Sequence, residues 1–175
     1  VETEGLQASQ GLLNWPGRFH EIAAPWDGSI LFDAAHNPSG VVRMLPQLRA
    51  RIEQELSWTL AFGCTPQHDL TSFADPLIEL CHQHPPESIV LTKPQHGRYP
   101  GVDLETLRRL NWPASCTILE QEDAAATSDC LNELQPAFTL VIGSLYLVGE
   151  MYDALGYGGT EHMELFPAKT QRDEA

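Results

Sequence analysis

The sequence predicts an α/β fold, a three-layer sandwich in which helices cover both faces of a mostly parallel, six-stranded sheet. Two patterns support this prediction. Short apolar runs with the length of strands alternate along the chain with amphipathic stretches of helical period, which is typical of βαβ crossovers and a parallel sheet. The later runs are continuously apolar, as expected for strands covered on both faces. A length of 175 residues is enough for one domain with a substantial core.

Six segments have the composition and length of strands. They are residues 19–23, 29–34, 58–63, 88–92, 116–120 and 139–143. Only the short link 24–28 separates the first two, so we expect an antiparallel pair that gives the sheet one antiparallel edge strand. The other strands are separated by helical stretches and are expected to run parallel.

Five helices are predicted between the strands. They cover residues 39–55, 70–82, 103–110, 122–134 and 145–155. The second has the clearest pattern, with apolar residues at i, i+3 and i+4 spacing. Pro46 interrupts the first, and a proline inside a helix costs about 3 kcal/mol. We therefore expect a kink at Pro46, or a short turn followed by a helix that starts near it.

The two ends of the sequence differ from its centre. Residues 1–13 are expected to be a remnant of a preceding domain or a linker, and residues 156–175 a loose tail. Residues 14–155 then form the single predicted domain. Because the sequence opens on Val1 rather than Met, we expect a fragment or a processed product.

Composition argues against several kinds of partner. The chain has 24 acidic and 10 basic residues and a net charge of −14, so its surface repels the phosphate backbone of nucleic acids. No apolar run approaches the roughly 18 residues of a membrane span, and no signal segment opens the sequence. The four cysteines lie in apolar segments without C-x-x-C spacing, which favours buried free thiols over a disulfide or zinc framework and is typical of the cytoplasm.

Asp33, His36 and Asn37 lie where the second predicted strand passes into the first predicted helix. In parallel α/β sheets, ligands bind outside the carboxyl ends of the strands, so these residues are candidates for a functional site. Structural roles are the alternative, because Asn37 suits a helix N-cap, Pro38 suits the first helical turn and Asp33 can tie the loop.

Two further residues are candidates for anion binding. Ser144 follows the last predicted strand, where a Gly-Ser pair before a helix leaves backbone N–H groups and a hydroxyl available for an anion. A plain N-cap is the commoner use of such a serine. Arg18 carries a planar group suited to phosphate or to stacking on a base, with an ordinary surface arginine as the alternative.

Two nucleotide-binding motifs are absent from the sequence. It contains no G-x-x-x-x-G-K-[ST] phosphate loop, and neither of its two lysines, Lys93 and Lys169, follows a glycine-rich turn. It also lacks the G-x-G-x-x-G fingerprint of dinucleotide-binding dehydrogenases. His82, His84 and His96 have no metal-ligand spacing and are expected to be surface histidines, so no metal site is predicted.

Three short motifs occur in a specific order and spacing: PGR at residues 16–18, FDAAHNP at 32–38 and GSLYLVGE at 143–150. Together they resemble the C-terminal, glutamate-ligase domain of the folylpolyglutamate synthases and dihydrofolate synthases, relatives of the Mur ligases. The resemblance covers residues from about 14 to 155 and implies a Rossmann-like Mur ligase C-terminal fold. It also implies an ATP-dependent ligase that adds L-glutamate to folate or dihydropteroate through an acyl phosphate. Its partners would be ATP, Mg²⁺ and an N-terminal ATPase domain of the same polypeptide, which would hold most of the metal.

The resemblance also implies roles for individual residues. Asp33 would contact the nucleotide near its ribose, Arg18 would reach ATP, and Asn37 would belong to the nucleotide side of the site. His36 would lie near the reacting phosphate or glutamate, as a catalytic residue or as a group that stabilises a loop, and Asp33 would be the second catalytic residue. Ser144 would help to hold the carboxylate of the incoming amino acid.

One loop departs from the family pattern. FGCTPQHD, at residues 62–69, resembles a family loop in which Phe-Gly is followed by a spacer and Asp-Lys-Asp, but Gln67 and His68 replace the first Asp and the Lys. His68 would then take the place of a lysine that binds the substrate glutamate. Because histidine is only partly charged near neutral pH, glutamate affinity or side-chain preference is expected to differ.

Other functions remain open at this point. A Mur-type cell-wall ligase domain shares the fold and the D-x-x-H-N-P region, although GSLYLVG resembles the folate enzymes more closely. A free-standing, non-catalytic binding module is the second alternative. Because the chain lacks a phosphate loop, we expect it to be inactive on its own.

Overall fold

Six strands and five helices alternate along residues 17–157, the part of the chain described by the computed structural model. The strands are β1 His20–Ala23, β2 Ser29–Asp33, β3 Thr59–Phe62, β4 Ser88–Thr92, β5 Thr117–Gln121 and β6 Phe138–Ile142. The helices are α1 Pro38–Ile52, α2 Leu70–Gln83, α3 Leu104–Arg108, α4 Ala124–Leu134 and α5 Leu145–Ala154. The predicted α/β class is confirmed. The predictions for residues 1–13 and for most of the tail at 156–175 lie outside the described residues.

The sheet has the strand order β1-β2-β6-β3-β4-β5. β1 pairs with β2 antiparallel, and every other pairing is parallel, which confirms a mostly parallel sheet with one antiparallel edge strand. β6 lies between β2 and β3, and its last residue, Ile142, is in register with both Asp33 and Phe62. The carboxyl ends of these three strands therefore meet at the same level.

Alternate residues of the strands pack against different helices, because successive side chains in a strand point to opposite faces. Leu60 and Leu140 belong to a core cluster with residues of α1, α2 and α3. Ala61 and Val141 belong to a second cluster with residues of α4 and α5. Both faces of the sheet are covered, and the predicted three-layer sandwich is confirmed.

The strand order reverses at β6. The helices after β2 and β3, α1 and α2, lie on one face of the sheet, whereas α5, which follows β6, lies on the other. Such a change of face opens a crevice beyond the carboxyl ends of the strands, where α/β proteins bind their ligands. The topology thus places a candidate site at the ends of β2, β6 and β3.

Helix α1 is one continuous element with Pro46 inside it, so the predicted separate helix starting near Pro46 is wrong. The proline is exposed, and the buried side chains continue past it on the opposite side of the helix. Burying each such side chain contributes about 1.5–3 kcal/mol, and together they outweigh the roughly 3 kcal/mol cost of one internal proline. The buried residues are Val41, Met44, Leu48 and Ile52.

All four cysteines are free thiols. Cys64 and Cys81 are buried, whereas Cys116 and Cys130 are half-buried. Burial raises the pKa of the Cys64 thiol to about 12, which keeps it protonated and unreactive near neutral pH. Among residues 17–157, no helix is both long enough and apolar enough to cross a membrane.

Candidate functional site

Six loops lie at the end of the sheet where the parallel strands finish, and we call the five around β2, β3, β4 and β6 the carboxyl edge. They are residues 17–19, before β1, and residues 34–37, 63–69, 93–103 and 143–144, after β2, β3, β4 and β6. All six residues that the sequence proposes for the site lie at this edge. They are Arg18, Asp33, His36, Asn37, His68 and Ser144.

The floor of the carboxyl edge is built from backbone rather than side chains. Gly143 has a φ of +119°, and a Cβ atom there would lie 2.6 Å from the carbonyl oxygen of Gly63. A Cβ on Gly63 would in turn lie 2.3 Å from the carbonyl oxygen of Thr92. Because neither position has room for a side chain, the ends of β6, β3 and β4 approach one another at backbone distance.

Asp33, at the end of β2, uses both carboxylate oxygens to bind the backbone. Its Oδ2 accepts from the N–H of Phe19 at 2.9 Å, and its Oδ1 accepts from the N–H of Ala35 at 2.8 Å. Burial raises the pKa of Asp33, and these two hydrogen bonds and the nearby Arg18 partly offset that rise. Asp33 thus ties the loop, as the alternative reading held, and its contact with a nucleotide stays a prediction.

Arg18 is exposed and lies between two residues with left-handed backbone, Gly17 at φ +76° and Phe19 at φ +46°. The carbonyl of Gly17 accepts a hydrogen bond from the N–H of Ala34 at 2.6 Å. A positive φ is unusual for phenylalanine and persists only where the surroundings hold it in place. The turn that carries Arg18 is therefore fixed to the end of β2.

Tyr152, on α5, is a residue that the sequence did not single out. Its hydroxyl hydrogen-bonds Nδ1 of His20, and its ring stacks on Phe32 with centroids 4.3 Å apart. Burial raises the pKa of Tyr152 to about 12 and lowers that of His20, so both groups are neutral near pH 7. The only signal in the sequence is that Tyr152 follows GSLYLVGE by two residues.

His36 and Asn37 lead from β2 into α1. His36 is exposed, and its Nδ1 donates to the carbonyl oxygen of Ala34 at 2.9 Å, which leaves Nε2 facing away from the loop. Asn37 is the N-cap of α1, with Oδ1 accepting from the N–H of Gly40 at 2.8 Å, and Pro38 follows in the first turn. The predicted cap is confirmed, and the nucleotide role of Asn37 stays a prediction.

Ser144 is the N-cap of α5. Its Oγ accepts from the N–H of Tyr146 at 3.1 Å, and the residue is 1% exposed. The capping interpretation is confirmed. Binding of a carboxylate by Ser144 stays a prediction.

The loop after β3 ends in a helix cap. Asp69 caps α2, with Oδ1 accepting from the N–H of Ser72 at 3.0 Å and Oδ2 accepting from its hydroxyl at 2.6 Å. These bonds to Ser72 hold the pKa of Asp69 below its ordinary value. His68 precedes this cap and is exposed. The exposed side chain at position 68 can therefore face a ligand, while the next residue, Asp69, is held by its bonds to Ser72.

Glu150, on α5, holds the loop after β4 and was also missed from the sequence. Its carboxylate accepts from the N–H of Gln95 at 2.9 Å and from that of His96 at 2.7 Å, and Nδ1 of His96 lies 3.3 Å away. The Glu150 side chain is only 11% exposed. This buried carboxylate fixes the segment that presents Arg98 at the carboxyl edge. The sequence signal that could have identified Glu150 is its place at the end of the motif GSLYLVGE.

Charge at the carboxyl edge differs from that of the whole chain. Its loops carry six side chains that are basic or can become so, on a protein with a net charge of −14. The acidic groups of this edge, Asp33, Asp69, Asp103 and Glu150, accept hydrogen bonds from backbone N–H groups. The edge therefore suits an anionic ligand. The basic side chains are Arg18, His36, His68, Lys93, His96 and Arg98.

Neither a family model nor a curated protein matches the sequence. The fold is similar to that of folylpolyglutamate synthase from Thermotoga maritima, with a TM-score of 0.61 and 21% identity over 85% of this chain and 32% of that one. It is also similar to the bifunctional folylpolyglutamate synthase/dihydrofolate synthase of Yersinia pestis, solved with AMPPNP and Mn, with a TM-score of 0.60, 19% identity and coverage of 81% and 31%. A third similar structure is folylpolyglutamate synthase from Mycobacterium tuberculosis, solved with ADP and AMPPCP. Its TM-score is 0.58 and its identity 20%, over 81% of this chain and 32% of that one.

These similarities confirm the predicted resemblance at the level of fold. The chain spans about a third of the length of each of these enzymes.

Proposed function

We propose that this chain is the glutamate-ligase domain of an ATP-dependent ligase that joins L-glutamate to folate or dihydropteroate. The observation that carries the proposal is the carboxyl edge, which gathers Arg18, His36 and Ser144 where an α/β sheet of this topology binds its ligands. The fold similarity to folylpolyglutamate synthases supports it. A cytoplasmic location belongs to the same proposal.

The proposed reaction has two steps. ATP transfers its γ-phosphoryl group to the folate carboxylate, which gives an acyl phosphate and ADP. The amine of L-glutamate then attacks the carbonyl carbon and loses a proton, and the tetrahedral intermediate expels phosphate. Negative charge gathers on the phosphoryl and carbonyl oxygens, so fixed positive groups and N–H donors stabilise the transition state.

The residues of the carboxyl edge take the following roles in this proposal. Arg18 binds the phosphates of ATP, and Asp33 and Asn37 complete the nucleotide side of the site. His36 lies beside the reacting groups, with the Nε2 atom free to accept or donate a proton. Ser144 and His68 bind the carboxylates of the incoming glutamate.

The metal of the reaction is assigned to another domain. Among residues 17–157, no group of three or more His, Cys, Asp or Glu side chains is placed to hold a metal ion. The acidic residues of the carboxyl edge are occupied by backbone N–H groups, so they are poor candidates for Mg²⁺ ligands. We therefore assign Mg²⁺ to the N-terminal ATPase domain of the same polypeptide.

The same edge offers contacts for that ATPase domain. Leu145, Tyr146 and Tyr99 are large apolar side chains that are 59%, 42% and 58% exposed beside Ser144 and Arg98. Domain closure over them would exclude water from the acyl phosphate and bring Arg18 to the bound ATP. Because the sequence contains no phosphate loop, the 175-residue chain alone is expected not to turn over ATP.

The test is a ligation assay on the protein encoded by the complete reading frame. Purified protein is incubated with Mg-ATP, L-glutamate and either dihydropteroate or tetrahydrofolate, and the product and ADP are quantified. Arg18→Ala is expected to raise KM for ATP at least about tenfold, because hydrogen bonds to charged groups contribute about 1.5–3 kcal/mol. Arg49→Ala, which removes an arginine from the last turn of α1, is the matched control and is expected to stay within about twofold.

Each alternative gives a different result in this assay. Ligation of a muramyl substrate but not of a pteroate would favour a Mur-type enzyme. Binding of ATP without any ligation would favour a binding module. Turnover by the 175-residue chain alone would refute the assignment of the phosphate site to another domain.

His68 gives a separate test of amino-acid preference. His68→Lys restores the residue type that the family pattern has at this position. The variant is expected to lower KM for L-glutamate several-fold, because a lysine is fully charged at neutral pH. Unchanged KM values for glutamate and aspartate would remove His68 from the proposed substrate contacts.

A further inference from the structure

Arg18 lies in a turn that contacts from two elements hold in place. Gly17 and Phe19 both have positive φ values, so the backbone on each side of Arg18 is in the left-handed region. For Phe19 this conformation is unfavourable and requires a surrounding structure that enforces it. The contacts that enforce this conformation come from β2 and from α5.

From β2, Asp33 and Ala34 hold the turn on both sides of Arg18. Oδ2 of Asp33 accepts from the N–H of Phe19, and the N–H of Ala34 donates to the carbonyl of Gly17. The other oxygen of Asp33 is engaged by the N–H of Ala35 at 2.8 Å. Each oxygen of Asp33 therefore already serves the backbone.

From α5, Tyr152 holds the same turn. Its hydroxyl hydrogen-bonds Nδ1 of His20, the residue that follows the turn. Stacking on Phe32 fixes the ring, and the Cγ1 atom of Val148 lies 3.2 Å from where a Cβ on Gly17 would be. The chain before and after Arg18 is thus anchored to α5 as well as to β2.

We infer that Asp33 and Tyr152 are positioning residues that set the direction in which Arg18 is presented to the nucleotide, and that Asp33 acts through Arg18 rather than on the ribose. This inference rests on the proposed function only in naming the nucleotide. It adds Tyr152 to the site and changes the role of Asp33.

The test is a double-mutant cycle in the protein encoded by the complete reading frame. KM and kcat are measured for Asp33→Asn, Arg18→Ala and the double variant, with ATP and with 2′,3′-dideoxy-ATP. Asp33→Asn is expected to raise KM for ATP about tenfold, in the range of couplings between residues that act as one unit. The same factor is expected for the dideoxy nucleotide, and it falls below about twofold when Arg18 is already alanine.

A tyrosine pair supplies the second variant and its control. Tyr152→Phe keeps the ring on Phe32 and removes only the hydroxyl, and it is expected to raise KM for ATP about threefold. Tyr157→Phe removes a hydroxyl that donates to the carbonyl of Ala23, at the far end of β1, and is expected to leave KM unchanged. Equal effects of the two variants would contradict a specific role for Tyr152.

Two results would overturn the inference. One is a penalty of Asp33→Asn that disappears with the dideoxy nucleotide, which would mean a direct ribose contact. The other is a penalty that stays undiminished in the Arg18→Ala background.

Amide hydrogen exchange separates this inference from the proposed function. Asp33→Asn and Tyr152→Phe are expected to accelerate exchange in residues 17–20 about tenfold, whereas Tyr157→Phe does not. If the wild-type protein lacks ligase activity, the proposed function fails. Unchanged exchange in residues 17–20 of the Asp33→Asn and Tyr152→Phe variants would refute the positioning role, whether or not the protein is a ligase.

Discussion

Gly143 and Gly149 lie six residues apart in one motif, and the structure predicts opposite effects when each is changed to alanine. Gly143 has φ +119°, and an added Cβ would lie 2.6 Å from the carbonyl oxygen of Gly63 and 3.0 Å from Cε2 of Phe62. Gly149 is inside α5, and nothing lies within 4 Å of its added Cβ.

The expected magnitudes follow from these two environments. Backbone strain at Gly143→Ala costs about 1–3 kcal/mol, and the contact with a carbonyl oxygen forces a further backbone shift, so the loss of unfolding free energy is expected to be about 3 kcal/mol. Gly149→Ala removes the conformational freedom of glycine from a helix and is expected to stabilise the protein by about 0.5–1 kcal/mol.

Urea denaturation of the 175-residue chain, followed by circular dichroism, measures both effects. With a slope of about 2 kcal/mol per molar urea, Gly143→Ala shifts the midpoint down by about 1.5 M, and Gly149→Ala shifts it up by a few tenths. A Gly143→Ala midpoint at or above that of the wild type would refute the backbone packing of β6 against β3. A lower midpoint for Gly149→Ala would refute the open surroundings of that residue.

Three further predictions concern other contacts. Asn37→Ala removes the cap bond to Gly40 and is expected to lower the unfolding free energy by about 1 kcal/mol, whereas Asn37→Asp stays close to the wild type; equal losses in both would argue against the cap. Glu150→Gln loses a charged acceptor of the backbone N–H groups of Gln95 and His96. The variant is expected to accelerate amide exchange at these two residues about tenfold, with little change in global stability. Unaltered exchange would mean that the carboxylate does not fix this loop. Glu21→Gln removes an ion pair with Arg51, whose hydrogen bonds lower the pKa of Glu21 in the folded state. That contribution exists above the ordinary pKa of glutamate and disappears as the pH falls through the lowered value. The stability difference from the wild type is therefore expected to be under about 1 kcal/mol near pH 7 and to vanish once the pH is below the lowered value; a difference that persists there would contradict an electrostatic origin.

The elements of the fold are predictable from the sequence because the central strands β3, β4 and β6 are short, fully buried runs separated by helical stretches. The predicted strand at residues 88–92 is identical to β4, and the predicted helix at 70–82 ends one residue before α2 does. The insertion of β6 between β2 and β3 is not encoded in any local pattern, since it depends on which strands pair across long separations. Pro46 misled the helix prediction because local backbone cost is visible in a sequence, whereas the burial that offsets it is not.

The candidate site divides in the same way. Asp33, Asn37 and Ser144 are predictable because strand ends and helix caps are local features with known residue preferences. Tyr152 and Glu150 bind residues that are distant in sequence, with separations of 132 residues from His20 and 55 from Gln95. No spacing rule connects residues so far apart, so both were missed, although Glu150 lies inside a motif that the sequence had marked.

The central place of β6 has a consequence for how the chain can fold during synthesis. Among residues 17–157, the β1–β2 hairpin and the β3-β4-β5 group are joined only through β6, which is the last of these six strands to be made. Until residues 138–142 leave the ribosome, β2 and β3 each present an open edge, the kind of surface on which chains associate wrongly. A nascent chain therefore carries two unfinished halves of this sheet until β6 is made, and β6 then joins them in one step.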